Sequence, residues 1–156
     1  MRFYLVDKVL EIKPGDYVEA VKCVSLSDDI FNEHFPGYPL FPGTLIIEGL
    51  AQLSGAFLEM SRKEAGAAPR RAALSLVQKF KFRGPVTPGD RLVYRAELKC
   101  LYPDEYGAVR VRALKEDQTV AEGELLFTFL DIADEQMLRV SDQVMAAAMR
   151  EARIIR

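Results

Sequence analysis

The sequence predicts an α+β domain, a curved antiparallel sheet of five or six strands wrapped around one long buried helix, with a second helix at the C-terminus. Three observations carry this prediction. The stretch from about Thr44 to Ala65 lacks proline and is apolar on nearly every side (Leu45, Ile46, Ile47, Leu50, Leu53, Phe57), and a helix apolar all round is a buried helix. Extended runs flank it, separated by turn residues. After Asp131 the apolar spacing returns to a helical period. A helix of about 22 residues is about 33 Å long, and a sheet curved around it is the simplest way to bury that length.

Taken in order, the first 26 residues read as two extended pieces, Phe3 to Ile12 and Tyr17 to Leu26, joined at Lys13-Pro14-Gly15-Asp16 as a hairpin. The segment Phe31 to Gly43 holds Pro36, Gly37, Pro39, Pro42 and Gly43, a spacing in which no regular element survives. The long helix follows and turns polar only at Arg62, Lys63 and Glu64. Strands are predicted at Ala72 to Phe82, Arg91 to Leu101, Ala108 to Leu114 and Thr119 to Leu130, with turn residues between them. Met137, Ser141, Val144, Ala148 and Ala152 then suit a terminal helix. Asp131 or Asp134 would cap it, with Arg150, Arg153 and Arg156 near its C-terminal end, where cations are favourable.

Composition narrows the function. The chain has 156 residues, 49% apolar and 28% charged, which fits one globular domain and excludes a disordered chain. No internal repeat and no run of 18 apolar residues is present. The start, MRFYLVDKVLEI, carries acids within its apolar stretch and no small-residue cleavage site, so no signal peptide is expected and the cytoplasm is the expected location. Cys23 and Cys100 sit in alternating apolar patterns and are expected as buried free thiols. One His and no paired-cysteine spacing leave no expected metal site.

The net charge of −2 hides an asymmetry. Arg62 to Lys115 holds 13 basic and 5 acidic residues, a net of +8, and the remainder carries −10. Two readings stand. The alternation of Arg95, Glu97 and Lys99 with Tyr94, Ala96 and Leu98 suggests the wet face of a sheet; alternatively the cations form a patch for an acidic partner, with Arg70, Arg71 and Arg83 as candidates.

Chemistry concentrates in His34-Phe-Pro-Gly37-Tyr-Pro-Leu-Phe-Pro42-Gly43-Thr-Leu-Ile-Ile-Glu48-Gly-Leu-Ala-Gln52. The only His lies in a rigid loop, and a carboxylate follows fourteen residues later inside an apolar helix. A buried Glu48 needs a partner or a raised pKa. Gln52, one turn on, can supply the partner. Gly43 stands where the loop meets the helix, so free N–H groups and the positive end of the helix dipole point into the same region.

This stretch resembles the β-hydroxyacyl-acyl carrier protein dehydratases of fatty acid synthesis, FabZ type, of the FabA/FabZ-like hotdog superfamily. The resemblance runs from about Val6 to Phe129. It includes the Pro-Gly turn at 14 and 15, the His-Phe-Pro-Gly loop, the Pro-Gly pair before the helix, the Glu-x-x-x-Gln pair and Lys79-Phe-Lys-Phe-Arg83-Gly-Pro-Val-Thr-Pro-Gly-Asp90-Arg-Leu. It implies that His34 and Glu48 catalyse, that the Gly43 N–H holds the thioester carbonyl, that the Leu40 carbonyl orients His34 and that Gln52 steadies Glu48. The implied reaction removes water from a (3R)-3-hydroxyacyl thioester on the phosphopantetheine of acyl carrier protein to give the trans-2-enoyl thioester, with no metal or other cofactor. It implies a homodimer at minimum, with His34 of one subunit facing Glu48 of the other, and commonly a hexamer as a trimer of dimers; nucleic acid is not an expected partner. Residues 1–131 are then a hotdog dehydratase-like domain and 132–156 a C-terminal helical extension packed on it. Tyr38, Phe41 and Phe82 are candidates for the acyl tunnel, and the cationic segment for docking of the acidic carrier.

Glu33 stands where the family usually has Gly, and Asp134 to Arg156 extends past the usual end of compact members. Relatives that also isomerise the double bond generally carry Asp at the acid position, so Glu48 favours dehydration alone. Two alternatives are a thioesterase on the same fold, with Glu48 activating water, and a non-catalytic acyl-binding or partner subunit.

Overall fold

The Lys13-Pro14-Gly15-Asp16 sequence turns the chain as its residue types demand. Gly15 takes a φ of 79° that other residues rarely adopt, and the Asp16 N–H donates to the Lys13 carbonyl at 2.9 Å, a type II turn. The computed structural model describes residues 3–131 and 133–156. The turn joins β1 (Lys8–Lys13) to β2 (Tyr17–Cys23). A 3-10 turn (Asp29–Asn32), α1 (Gly43–Glu64), β3 (Arg71–Phe82), β4 (Arg91–Tyr102), β5 (Tyr106–Lys115), β6 (Gln118–Leu130), α2 (Glu135–Met149) and β7 (Arg153–Ile154) follow. Among the described residues no helix is long and apolar enough to cross a membrane.

The strands form one sheet in the order β3-β6-β5-β4-β2-β1-β7. Every neighbouring pair is antiparallel except β1 and β7, which are parallel. α1 packs across β2, β3, β4, β5 and β6, which a straight helix achieves only against a curved sheet. Leu50, Leu53, Phe57 and Leu58 of α1 meet Tyr94, Ala96, Val109 and Phe127 in the core, each large side chain contributing about 1.5–3 kcal/mol by leaving water. Gly49 is required by this contact: a Cβ there would lie 2.6 Å from a ring carbon of Tyr94.

Several expectations are corrected. The sheet has seven strands rather than five or six, because Arg153 and Ile154 add a short parallel strand. The first strand begins at Lys8 rather than Phe3, since the Leu5 N–H and the Phe3 carbonyl bond the Gln52 side chain instead of a neighbouring strand. α1 is not buried all round: Glu48, Gln52, Glu59 and Met60 are half-buried along one stripe. Both cysteines are free, but Cys23 is exposed at the end of β2 and Cys100 is half-buried at a register shift between β4 and β5. α2 ends at Met149, so Arg153 lies beyond it, paired with Glu11. Asp134 does cap the helix, accepting from the Gln136 N–H at 2.9 Å. The side chains of Met137 and Ser141 lie outside the described residues.

The basic segment resolves into three situations. Arg62 is buried, 1% exposed, not at the surface; it donates to the carbonyls of Pro103 and Ala68 and lies over the Phe129 ring. Arg95 and Lys99 form the wet sheet face with Glu19, Glu97 and Glu124. Arg70 pairs with Asp131, Arg71 with Glu59 and Asp142, and Arg83 with Glu122. Most of these acids lie outside the basic segment, so folding interleaves the two charge blocks.

Candidate active site

The loop before α1 is held by its own backbone. Gly37 has a φ of 75°, and Phe35 and Tyr38 exchange N–H to carbonyl bonds at 3.0 and 2.9 Å. The Leu40 N–H donates to the His34 carbonyl at 3.0 Å, and the Phe41 N–H to Val86 at 2.8 Å. His34, half-buried, places Nδ1 2.7 Å from the Leu40 carbonyl oxygen. A carbonyl only accepts, so in this bond Nδ1 carries the hydrogen, and in the neutral ring Nε2 keeps a bare lone pair. The ring stacks on Phe35, with centroids 4.0 Å apart.

Glu48 lies on the half-buried stripe of α1 and accepts from Gln52 Nε2 at 3.1 Å. The Gln52 amide has its orientation fixed from outside. Its oxygen accepts from the Leu5 N–H at 3.0 Å, and Nε2 also donates to the Phe3 carbonyl at 2.9 Å. The reversed amide would set donor against donor and acceptor against acceptor. The partner that the buried carboxylate required is therefore present, and its geometry is dictated by the N-terminal segment.

Gly43 opens α1 behind Pro42, whose side chain caps nothing. The Leu45 and Ile46 N–H groups donate to the Pro42 carbonyl at 3.0 and 3.2 Å, which leaves the Gly43 and Thr44 N–H groups without an acceptor in the helix, at the positive end of its dipole. Phe82 packs over this glycine so closely that a Cβ would sit 2.7 Å from Phe82 Cε1. Phe82 thus adjoins the helix start while remaining 51% exposed. Of the other tunnel candidates, Phe41 is buried in the core near Phe31, at 6.3 Å between centroids, and Tyr38 is 69% exposed on the loop surface. Glu33 is exposed beside His34.

Glu48 and Gln52 open onto a groove of about 1470 Å³ between α1 and α2. His34 is not among its lining residues. Further along the same stripe lies Glu59, a carboxylate that sequence reasoning passed over although Glu48, Gln52 and Glu59 share one helical face at i, i+4 and i+11. It accepts from the Ala72 N–H at 2.9 Å and from Arg71 Nη1 at 3.0 Å. Burial nevertheless outweighs both donors and holds its carboxyl above the ordinary value. Arg71, expected at a docking face, spans from Glu59 to Asp142 of α2, at 2.7 Å. Among the described residues no group of three or more His, Cys, Asp or Glu side chains is placed to hold a metal ion.

Residues 1–124 match the model of the FabA-like domain family. A 3-hydroxyacyl-[acyl-carrier-protein] dehydratase FabZ from Nitratiruptor sp. is 41% identical over 132 residues, 83% of this chain and 88% of that protein. Among solved structures, the dehydratase heterocomplex ApeI:P from Xenorhabdus doucetiae superposes with a TM-score of 0.65 at 19% identity, covering 88% of this chain and 90% of that one. A hot-dog-like protein from Thermanaerovibrio acidaminovorans does so with a TM-score of 0.61 at 17% identity, covering 90% and 93%. These two likenesses establish the hotdog fold.

Proposed function

The chain belongs to the FabA-like family, with FabZ-type dehydratases among its relatives, and from that premise we propose that it removes water from a (3R)-3-hydroxyacyl thioester on acyl carrier protein, in fatty acid biosynthesis or a related acyl pathway of the cytoplasm. The observation that carries the residue roles is the bond between His34 Nδ1 and the Leu40 carbonyl, which leaves Nε2 as a base. Nε2 takes a proton from C2. The C2–H electron pair moves into the thioester as an enolate-like state, whose oxygen is held by the Gly43 N–H at the start of α1, an effect of about 3 kcal/mol for one such donor. The enolate re-forms the carbonyl, the C2–C3 double bond closes and the C3–O bond breaks. Protonated Glu48 gives its proton to the departing hydroxyl, and water leaves. The imidazolium and the carboxylate exchange a proton through solvent to restore the starting state. Carbon gains no net electrons from outside, so the reaction requires no redox partner.

A second copy of the chain completes the arrangement. β3 is a sheet edge with Leu74, Leu76 and Val77 exposed at 41%, 44% and 40%, an apolar strand edge of the kind that pairs with another strand. A dimer along β3 would bring a neighbouring His34 loop toward Glu48, which in one chain opens onto a groove that His34 does not line. A hexamer, as a trimer of such dimers, is the further state the family suggests. Of the three docking cations, Arg83 is best placed for the carrier protein: it follows Phe82, which covers Gly43, and keeps 48% of its side chain exposed. Arg71 is engaged between α1 and α2 instead.

The test is the pair of variants His34→Ala and Glu48→Gln assayed on a 3-hydroxyacyl thioester. Loss of general base or general acid is expected to lower kcat at least about 10²-fold in each. Retained activity in His34→Ala would remove His34 from the mechanism.

A further inference from the structure

We propose that α2 sets the acyl chain length this protein accepts, the substrate's acyl chain lying along α1 in the groove and ending against Met145 and Met149. This rests on the dehydratase reading, which places the thioester end of the substrate at Glu48.

The groove is continuous with that end, since Glu48 and Gln52 line it. Between and beyond them the α1 surface drops to Ala51, Gly55 and Ala56, small residues that let a hydrocarbon chain lie close to the helix. The opposite wall is α2, which contributes the half-buried Val144, Met145 and Met149. Methionine suits a wall that must adapt to a flexible chain, because its side chain is unbranched and polarizable. From Glu48 to Glu59 the stripe runs eleven residues, about 16 Å of helix, enough for an extended medium-length acyl group.

Charge at the rim does not oppose this occupant. Arg71 pairs with both Glu59 and Asp142, so a hydrocarbon passing these three strips no lone charge of water. The same bonds position the wall, because Arg71 on β3 ties α2 to α1. Ala148 is buried at 6% exposure, and β7 pairs with β1 beyond the helix. α2 is thus tied across the groove at its middle, through Asp142, and at its C-terminal end, through Ala148 and β7, and the side chains it presents there determine how far a chain can extend.

The experiment compares the full-length protein with Met145→Trp and with the double variant Met145→Ala/Met149→Ala. Each is assayed for kcat/KM on 3-hydroxyacyl pantetheine thioesters from short to long chains. Met145→Trp is expected to lose about tenfold or more on the long chains and to stay within about twofold on the short ones, and the double Ala variant to shift preference toward longer chains. An unchanged chain-length profile in both, or an equal loss at every length, would overturn the role of α2. If the unaltered protein dehydrates none of these thioesters, the dehydratase reading itself fails and takes this inference with it.

Discussion

In the proposed reaction His34 can act as a base only while its ring keeps one tautomer, and the Leu40 carbonyl, 2.7 Å from Nδ1, favours that tautomer. Glu48 depends in the same way on Gln52, whose amide is in turn held by the backbone of Phe3 and Leu5. Gln52→Leu keeps the volume and removes the donor, so the Glu48 carboxyl loses its fixed rotamer. Steady-state kinetics should show kcat reduced by about ten- to a hundredfold with KM nearly unchanged, since misplacement of one reacting group costs on that order. A change confined to KM would show that Gln52 acts on binding instead. The pairing of Glu48 with Gln52 was legible in the sequence because the two lie one helical turn apart, whereas the contact of His34 with the Leu40 carbonyl followed only from the family resemblance. The grip of Phe3 and Leu5 on Gln52 was not, because its partners lie 49 and 47 residues away along the chain and main-chain groups leave no mark on residue type.

The two helices meet across a groove whose far end is Glu59. Its carboxyl titrates above the ordinary range because burial outweighs the Ala72 N–H and the Arg71 guanidinium. The folded state therefore holds this proton to a higher pH than the unfolded chain does. Between the two values folding binds the extra proton, so this group's contribution to stability is greatest at low pH and falls as pH rises, levelling off once the folded-state value is passed. Urea unfolding of Glu59→Gln across pH 4 to 8 should show a smaller decline with rising pH than the unaltered protein. An identical pH profile would show that Glu59 is not the group responsible. α1 was legible almost to the residue, because a proline-free apolar run bounded by Pro42 and the Arg62-Lys63-Glu64 cluster admits little else. What its apolar run concealed was the open stripe, and only the position of α2 shows that Ala51, Gly55 and Ala56 floor a groove. The short strand β7 was illegible, since two residues carry no period and its pairing with β1 depends on where α2 ends.

For the whole molecule, the two charge blocks of the sequence interleave on folding, and the apolar edge strand β3 is left with Leu74, Leu76 and Val77 in solvent. The curved sheet and its central helix followed from the alternation of residues such as Tyr94, Arg95 and Ala96, whereas the exposed edge did not, because it depends on strand order rather than on any one strand. If a second copy pairs there and supplies His34 to Glu48, a mixture of His34→Ala and Glu48→Gln subunits regains activity. Half of the dimers would be mixed, each with one intact site of two, so about a quarter of the unaltered rate is expected by two-fold symmetry. No recovery in co-expressed, verified mixed dimers would place both groups of each site in one chain. Elimination of water is tested most directly by incubating the unaltered protein with a 3-hydroxyacyl thioester and following enoyl absorbance and free thiol together. Enoyl absorbance that rises while thiol stays absent is the predicted result; release of thiol without enoyl product would contradict it.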